Sequence, residues 1–174
     1  EKMTKLAEDK PYLKDLMPNG RIGTPPAQPN IRGIVSDRPQ ANDKHKTWAQ
    51  QVAPSQIQTE SGGDQSAVSP KGNVGVMQLG EAAAKEAAAA LGIAYDPERL
   101  KTDADYNQTL GMQYQTLMFK KYDDVNLGLA AYNWGPGKVD ALIAKIGNPA
   151  KQEVTWEEFA EQLPEETSSY VQKI

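Results

Sequence analysis

A mostly α-helical domain behind an extended, proline-rich arm is the fold class this sequence predicts, on three observations. Six of the twelve prolines fall within the first 46 of 174 residues. From Asn42 onward, apolar residues recur at helical spacing. Gly, Pro and Asp then stand where such helices would start or stop.

The arm comprises residues 1–46, and the domain residues 47–174. Pro25, Pro26 and Pro29, with Gly20, Gly23 and Gly33 between and around them, make Gly20 to Gln40 an extended segment, because proline fixes its own torsion and disfavours helix in the residue before it. A short helix from Thr4 to Met17 is compatible with the remainder. The arm is expected to lie across the domain, to tether it to a larger assembly, or to act as a mobile linker. Residues 1–46 carry nine Lys/Arg against six Asp/Glu, and residues 47–174 ten against seventeen. Neither part has the basic stripe of a nucleic-acid surface, so none is expected as a partner.

The domain's elements follow in order. Gly62 and Gly63 end a helix and leave Glu60 at its terminus, since glycine readily takes left-handed conformations there. Only Ser55 to Thr59 separate Pro54 from Glu60. An interior proline costs roughly 3 kcal/mol, so the sequence predicts an altered or shortened approach to Glu60 in preference to a helix running through Pro54. Gly75-Val76-Met77-Gln78 supplies a flexible backbone, a soft apolar side chain and an amide, suited to gripping a polar polymer with apolar faces. Glu81 to Leu91 is nearly all Ala, Glu and Lys and is stopped by Gly92, which makes it a helix. Asp103 to Tyr122 sets Tyr106, Leu110, Tyr114, Leu117 and Met118 on one core-facing stripe. Asp123 or Asp124 caps the next helix, Pro136 opens another through Val139, Leu142, Ile143 and Ile146, and Thr155-x-x-Glu158 is a capping-box signature before Trp156, Phe159 and Leu163. Little strand and no internal repeat is expected.

Zero cysteines exclude disulfides and thiolate metal sites, and His45, the single histidine, is expected to be solvated beside its lysines. No cofactor or metal is expected. No stretch is apolar enough for a membrane helix, and no charged-then-apolar leader is present. The chain starts at Glu1 and stops at Ile174, so it is expected to be a piece of something longer, with delivery to its site of action supplied from elsewhere.

Five blocks, in order, carry a resemblance. Glu60-Ser61-Gly62, Ser69-Pro70-Lys71-Gly72, Gly75-Val76-Met77-Gln78, Ala131-Tyr132-Asn133-Trp134-Gly135-Pro136-Gly137 and Glu166-Thr167-Ser168-Ser169-Tyr170-Val171 resemble the motifs of the lytic transglycosylases, the lysozyme-like enzymes that cut the glycan strands of bacterial peptidoglycan. The resemblance runs from Trp48 to Ile174. It implies a lysozyme-like, goose-lysozyme-like α fold, with peptidoglycan glycan strands as substrate and no cofactor. Glu60 is implied as the single acid/base: it would protonate the glycosidic oxygen and then take the proton of the sugar's C6 hydroxyl, giving a 1,6-anhydromuramyl end. Partial burial against groups such as Met77 and Tyr132 would raise its pKa to suit.

The same resemblance gives the binding residues. Ser69 and Gln78 would hydrogen-bond near the acid or the N-acetyl groups, Met77 would pack on a sugar face, and Tyr132 would position the substrate or the acid. Asn133 would brace its turn, while Glu166 and Tyr170 would be a second acidic residue near the cleft and the aromatic supporting it. Trp134, large where the family is small, would stack on sugar or fill the core. Asp64 and Glu81 are weaker candidates for a second carboxylate, because the glycines intervene before the first and the second simply opens an alanine-rich helix. Two other expectations stand beside the transglycosylase: a goose-type muramidase hydrolysing with water, and a weakly active wall-binding module of a phage particle or secretion machine. The arm suggests an enzyme carried by a virion or secretion assembly that opens the wall locally.

Overall fold

The computed structural model describes residues 43–174, within which eight α-helices and one short 3-10 turn follow one another, with β structure confined to isolated bridges. Nearly all of the expected arm, including the Thr4 to Met17 helix, lies outside the described residues.

The first helix, α1 (Lys44–Ser61), starts at Asp43, whose carboxylate accepts from the backbone N–H groups of His45 and Lys46. Three expectations are corrected here. Residues 44–46, grouped above with the arm, form the helix's first turn. The approach to Glu60 is not shortened either, because α1 runs through Pro54. The reason is which face the proline occupies. Ala49, Ala53 and Gln56 turn inward, whereas Gln50, Pro54 and Gln58 are exposed. The carbonyl deprived of its donor is that of Gln50, where water can reach it, so the cost falls below that of a proline on a buried face. His45 is not simply solvated: its ring packs edge-on against Trp48 with centroids 5.2 Å apart, and its Nε2 lies 2.7 Å from Asp123 Oδ1.

Helix α2 (Glu81–Leu91) buries Ala84, Ala87 and Ala88, small enough to let it pack closely on α4, and ends at Gly92 with φ +69°. The six-residue α3 (Pro97–Thr102) was not foreseen; it buries only Leu100, too little to leave a periodic signal, although Asp96 caps it and Pro97 opens it. Helix α4 (Ala104–Tyr122) is the centre of the domain and packs on α1, α2, α3 and α5. Tyr106, Leu110, Tyr114 and Met118 are buried as the stripe predicts, with Leu117 half-buried at its edge.

Asp123 closes α4 in a left-handed conformation, and Asp124 caps α5 (Val125–Trp134). Helix α6 (Pro136–Ile146) and a 3-10 turn (Pro149–Lys151) lead to α7 (Trp156–Glu161), where Thr155 and Glu158 form the expected capping box. Helix α8 (Glu165–Lys173) turns Thr167, Tyr170 and Val171 inward and packs on α5 and α1. Phe119, Leu127, Leu129, Val139 and Phe159 are fully enclosed in the core, each worth about 1.5–3 kcal/mol of burial. Trp134 packs half-buried against this core and does not line the cavity described below. Among the described residues no helix is long and apolar enough to cross a membrane.

Candidate active site

Glu60 stands one residue from the end of α1. Gly62, at φ +65°, closes the helix by donating its N–H to the Gln58 carbonyl at 3.1 Å. The chain then folds into a loop over residues 62–80, which is held from below. Asn107 of α4 is fully buried; its Oδ1 accepts from Met77 N at 2.9 Å, and its Nδ2 donates to the carbonyls of Val74 at 2.9 Å and Leu100 at 3.0 Å. Gln65 adds a second clamp, accepting from Val76 N at 3.0 Å and donating to the Leu100 carbonyl at 2.9 Å. Ser61 Oγ, 2.9 Å from the Val76 carbonyl, ties the loop back to α1.

The glycine of the Gly-Val-Met-Gln block is required twice over. Gly75 has φ +81°, and a Cβ there would meet Asn107 Nδ2 at 2.1 Å. Gly111 of α4 leaves a notch that the Met77 side chain fills, with the Met77 sulfur 2.7 Å from where a Cβ would stand.

A cavity of ≈ 670 Å³ opens between this loop, the end of α1, α5 and α8. It is lined by Glu60, Ser69, Gln78, Tyr132, Asn133, Glu166 and Tyr170, so every residue expected at the site except Met77 faces one space. Lys71, Glu165 and Lys173 join them at the same cavity. Met77 is a correction: its side chain has no exposed surface and cannot pack on a sugar. Its carbonyl instead accepts from the Tyr132 hydroxyl at 2.7 Å.

That bond also redirects Tyr132, whose proton is committed to the loop and not to the acid's carboxylate. Asn133 does not brace its own turn either; its Oδ1 accepts from Thr167 Oγ1 at 2.9 Å and ties α5 to α8. Ser69 Oγ accepts from Asn73 N at 3.1 Å, and Gln78 Nε2 donates to the carbonyls of Ala67 and Gly75, both at 2.9 Å. Gln78, at φ +49°, therefore holds the loop with its nitrogen while lining the cavity.

Glu60 itself is half-buried, and burial pushes its carboxyl from the ordinary 4.5 up to about 7. The neighbouring Tyr170 hydroxyl opposes that rise, and the negative charge of Glu166 adds to it. Burial, followed by the charge of Glu60, raises both Tyr132 and Tyr170 well above the usual phenol range, so both act as neutral hydroxyls. Asp64 is spent on Ser66, whose N–H and hydroxyl it accepts at 2.8 and 2.6 Å, and Glu81 on Lys85 at 2.6 Å.

Sequence reading missed Gln56, Gln65, Asn107 and Gln115. A signal existed for two of them: Asn107 and Gln115 lie at helical spacing with Gly111 on the buried side of α4, where a polar side chain needs a reason.

Comparison with known proteins bears on fold and family. The structure resembles the 70 kDa soluble lytic transglycosylase from Escherichia coli (TM-score 0.61, 24% identity, over 82% of this chain and 25% of that one). It also resembles an inactive mutant of the lytic transglycosylase Slt from Pseudomonas aeruginosa (TM-score 0.57, 23% identity, over 97% and 27%). A complex of the 70-kDa soluble lytic transglycosylase with bulgecin A matches similarly (TM-score 0.63, 24% identity, over 82% and 25%). The chain spans about a quarter of the length of these proteins, and the likeness gives it the mostly α, lysozyme-like fold. The family described as Transglycosylase SLT domain matches residues 39–155, more than half of the sequence, and to that family the chain belongs.

Proposed function

We propose that the domain cleaves the β-1,4 bond between N-acetylmuramic acid and N-acetylglucosamine in peptidoglycan, with Glu60 as its single acid/base. The observation that carries this reading is a half-buried carboxyl held near pH 7 in a polar cleft. A group titrating there is available as acid and as base at neutral pH. In its protonated form Glu60 gives its proton to the glycosidic oxygen as the C1–O bond breaks. The C6 hydroxyl of the same sugar closes on C1, and its proton returns to Glu60. No water is consumed, the product ends in a 1,6-anhydro ring, and intramolecular attack has the advantage of high effective molarity. Gln78, Asn133, Glu166 and the backbone of the 62–80 loop are the groups offered to the substrate's amides and hydroxyls, with Tyr132 and Tyr170 walling the acid.

Mass spectrometry of digested sacculi tests the product: anhydro-muropeptides are expected. Replacing the acid by Glu60→Gln is expected to lower the rate roughly 10²–10⁴-fold; equal solubilisation by both proteins would exclude catalysis by Glu60 and favour a wall-binding module.

One observation favours a second reading. Glu166 faces the same cavity and its charge is felt at Glu60, a two-carboxylate arrangement that a hydrolase could use to activate water. In that case the products carry reducing ends and Glu166→Gln is as damaging as Glu60→Gln. The setting we propose is local opening of the wall by a virion or secretion assembly that holds the chain through residues 1–46. An ordinary export signal on the precursor would count against that setting.

A further inference from the structure

A second cavity, of ≈ 440 Å³, is formed by the 62–80 loop together with α2, α3 and the segment between them, and the proposed chemistry leaves it unused. It adjoins the first. Lys71 and Asn73 line the cavity that holds Glu60, whereas Gly72 between them lines the second. Consecutive Cα atoms are about 3.8 Å apart, so the two rims are one residue from each other. Gly72 has φ +83°, and nothing lies within 4 Å of where a Cβ on it would stand. No side chain obstructs the crossing.

The two linings suit different ligands. Ser69, Asn73, Gln78, Asn133 and Ser169 give the first cavity hydroxyls and amides, the groups that a sugar's hydroxyls and N-acetyl amides need. The second has no side-chain amide and no aliphatic hydroxyl. Buried Val74, Leu79 and Leu100 supply apolar surface there, with Tyr95 and Pro97 beside them, and the charged groups are Glu81, Lys85 and Lys101. Glu81 and Lys85 satisfy each other at 2.6 Å, and the Lys85 ammonium also sits 5.6 Å from the Tyr95 ring centroid. Lys101 is left over. Its partner Glu98 stands 3.9 Å away, beyond hydrogen-bond reach, and both side chains are exposed. Lys71, on the shared rim, forms no ion pair among the described residues. An apolar surface edged by unspent cations matches an acidic peptide with small side chains better than a neutral sugar.

We propose that the second cavity seats the peptide branch of the same strand whose sugars occupy the first, the branch crossing the loop at Gly72 and setting a carboxylate against Lys101. Muramic acid carries such a branch, and its carboxylates are the charge that the glycan itself lacks. Lys71 meets the branch at the crossing, while Lys85, spent on Glu81, lends its stem to the Tyr95 side. The inference rests on peptidoglycan being the substrate and deepens that reading: strands with acidic peptides bind better than bare ones.

The test measures steady-state cleavage of peptide-bearing glycan chains and of the same chains stripped of peptide by an amidase. The proteins are wild type, Lys101→Ala, Lys101→Glu and, as a control of equal charge change, Lys138→Glu, at an exposed α6 position that lines neither cavity. On peptide-bearing chains Lys101→Glu should raise KM roughly 5–10-fold and Lys101→Ala roughly two- to threefold, with kcat unchanged. On stripped chains both should stay within about twofold of wild type. Equal KM rises on the two substrates, no rise on either, or the same rise for Lys138→Glu would overturn the proposal. Amide-shift NMR with the amidase-released acidic peptide as probe reads the site without turnover. Saturable shifts are expected at Gly72, Lys85, Tyr95 and Lys101, with binding weakened in Lys101→Glu; shifts confined to other residues, or none, would sink it. If wild type cuts neither kind of chain, the proposed activity fails; if it cuts them and the peptide leaves these amides unmoved, the second cavity fails and the activity stands.

Discussion

At its first turn α1 gathers carboxylates beside cations in water; at its last turn it holds Glu60 half-buried with no cation bonded to it. At the first turn Asp43 meets Lys120 at 2.8 Å, and Asp123 meets both Lys44 and His45 at 2.7 Å. These acids are held below their ordinary range, Asp43 chiefly by the hydrogen bond from Lys120, Asp123 by those from Lys44 and then His45. At the last turn burial drives the shift the other way. Lys71 and Lys173 line the same cavity, yet neither forms an ion pair with Glu60 among the described residues. Charges satisfied at the surface fasten the helix, whereas a charge denied its counter-ion keeps a proton available for chemistry.

Substitutions at the two ends should therefore differ most in rate. Against the loss expected for Glu60→Gln, Asp123→Asn should keep sacculus solubilisation within about twofold of wild type, since exposed ion pairs contribute little; a comparable loss at both positions would dissolve the contrast. Next in size is the clamp beneath the loop. Asn107→Ala strands Met77 N and two carbonyls, and should cost about 2–4 kcal/mol in urea unfolding, with activity falling as the loop loses its seat.

Glu60 should then reveal itself in stability. Its carboxyl titrates at the ordinary 4.5 when unfolded and about 7 when folded, so the fold binds more protons between those values and loses stability as pH rises through that window. The penalty is complete above pH 7. Glu60→Gln should accordingly be more stable than wild type at pH 8 by on the order of 1–2 kcal/mol, a figure reduced for solvent contact, and indistinguishable at pH 4. Equal melting curves at pH 8 would mean that burial does not strain the acid.

The smallest effect belongs to the first turn. Asp43 has a lowered pKa, so the stability it adds is present above the ordinary carboxylate value of 3.8 and is lost as pH falls through its folded value. Lys120→Ala should lower the melting temperature by no more than about 2 °C at neutral pH, and by nothing once Asp43 is protonated.

Legibility in the sequence followed the same division. Helices with a long apolar stripe or a capping residue could be read, as with Glu81 to Leu91, Asp103 to Tyr122 and the Thr155–Glu158 box. Helix α3 could not, because one buried leucine makes no period. The run of α1 through Pro54 was misjudged because sequence does not show which face of a helix water reaches. At the site, Glu60 was marked by its glycines, but the roles of Met77, Tyr132 and Asn133 were not. Each depends on a bond to a residue distant in sequence: Met77 with Asn107, Tyr132 with Met77, Asn133 with Thr167. Buried amides such as Gln56 and Gln115 carry no local signature, since the same residue type is commonplace on a solvated face.

The position of Glu60 in the final turn of α1 has one more consequence. The peptide dipoles of an 18-residue helix converge there with their carbonyl ends, a partial negative pole that repels a carboxylate by about 0.3–1 kcal/mol. Part of the acid's hold on its proton is therefore written in the backbone. Replacing neighbouring side chains can trim that hold but not remove it, so redesign of the cleft for more acidic conditions would have to change where the helix ends.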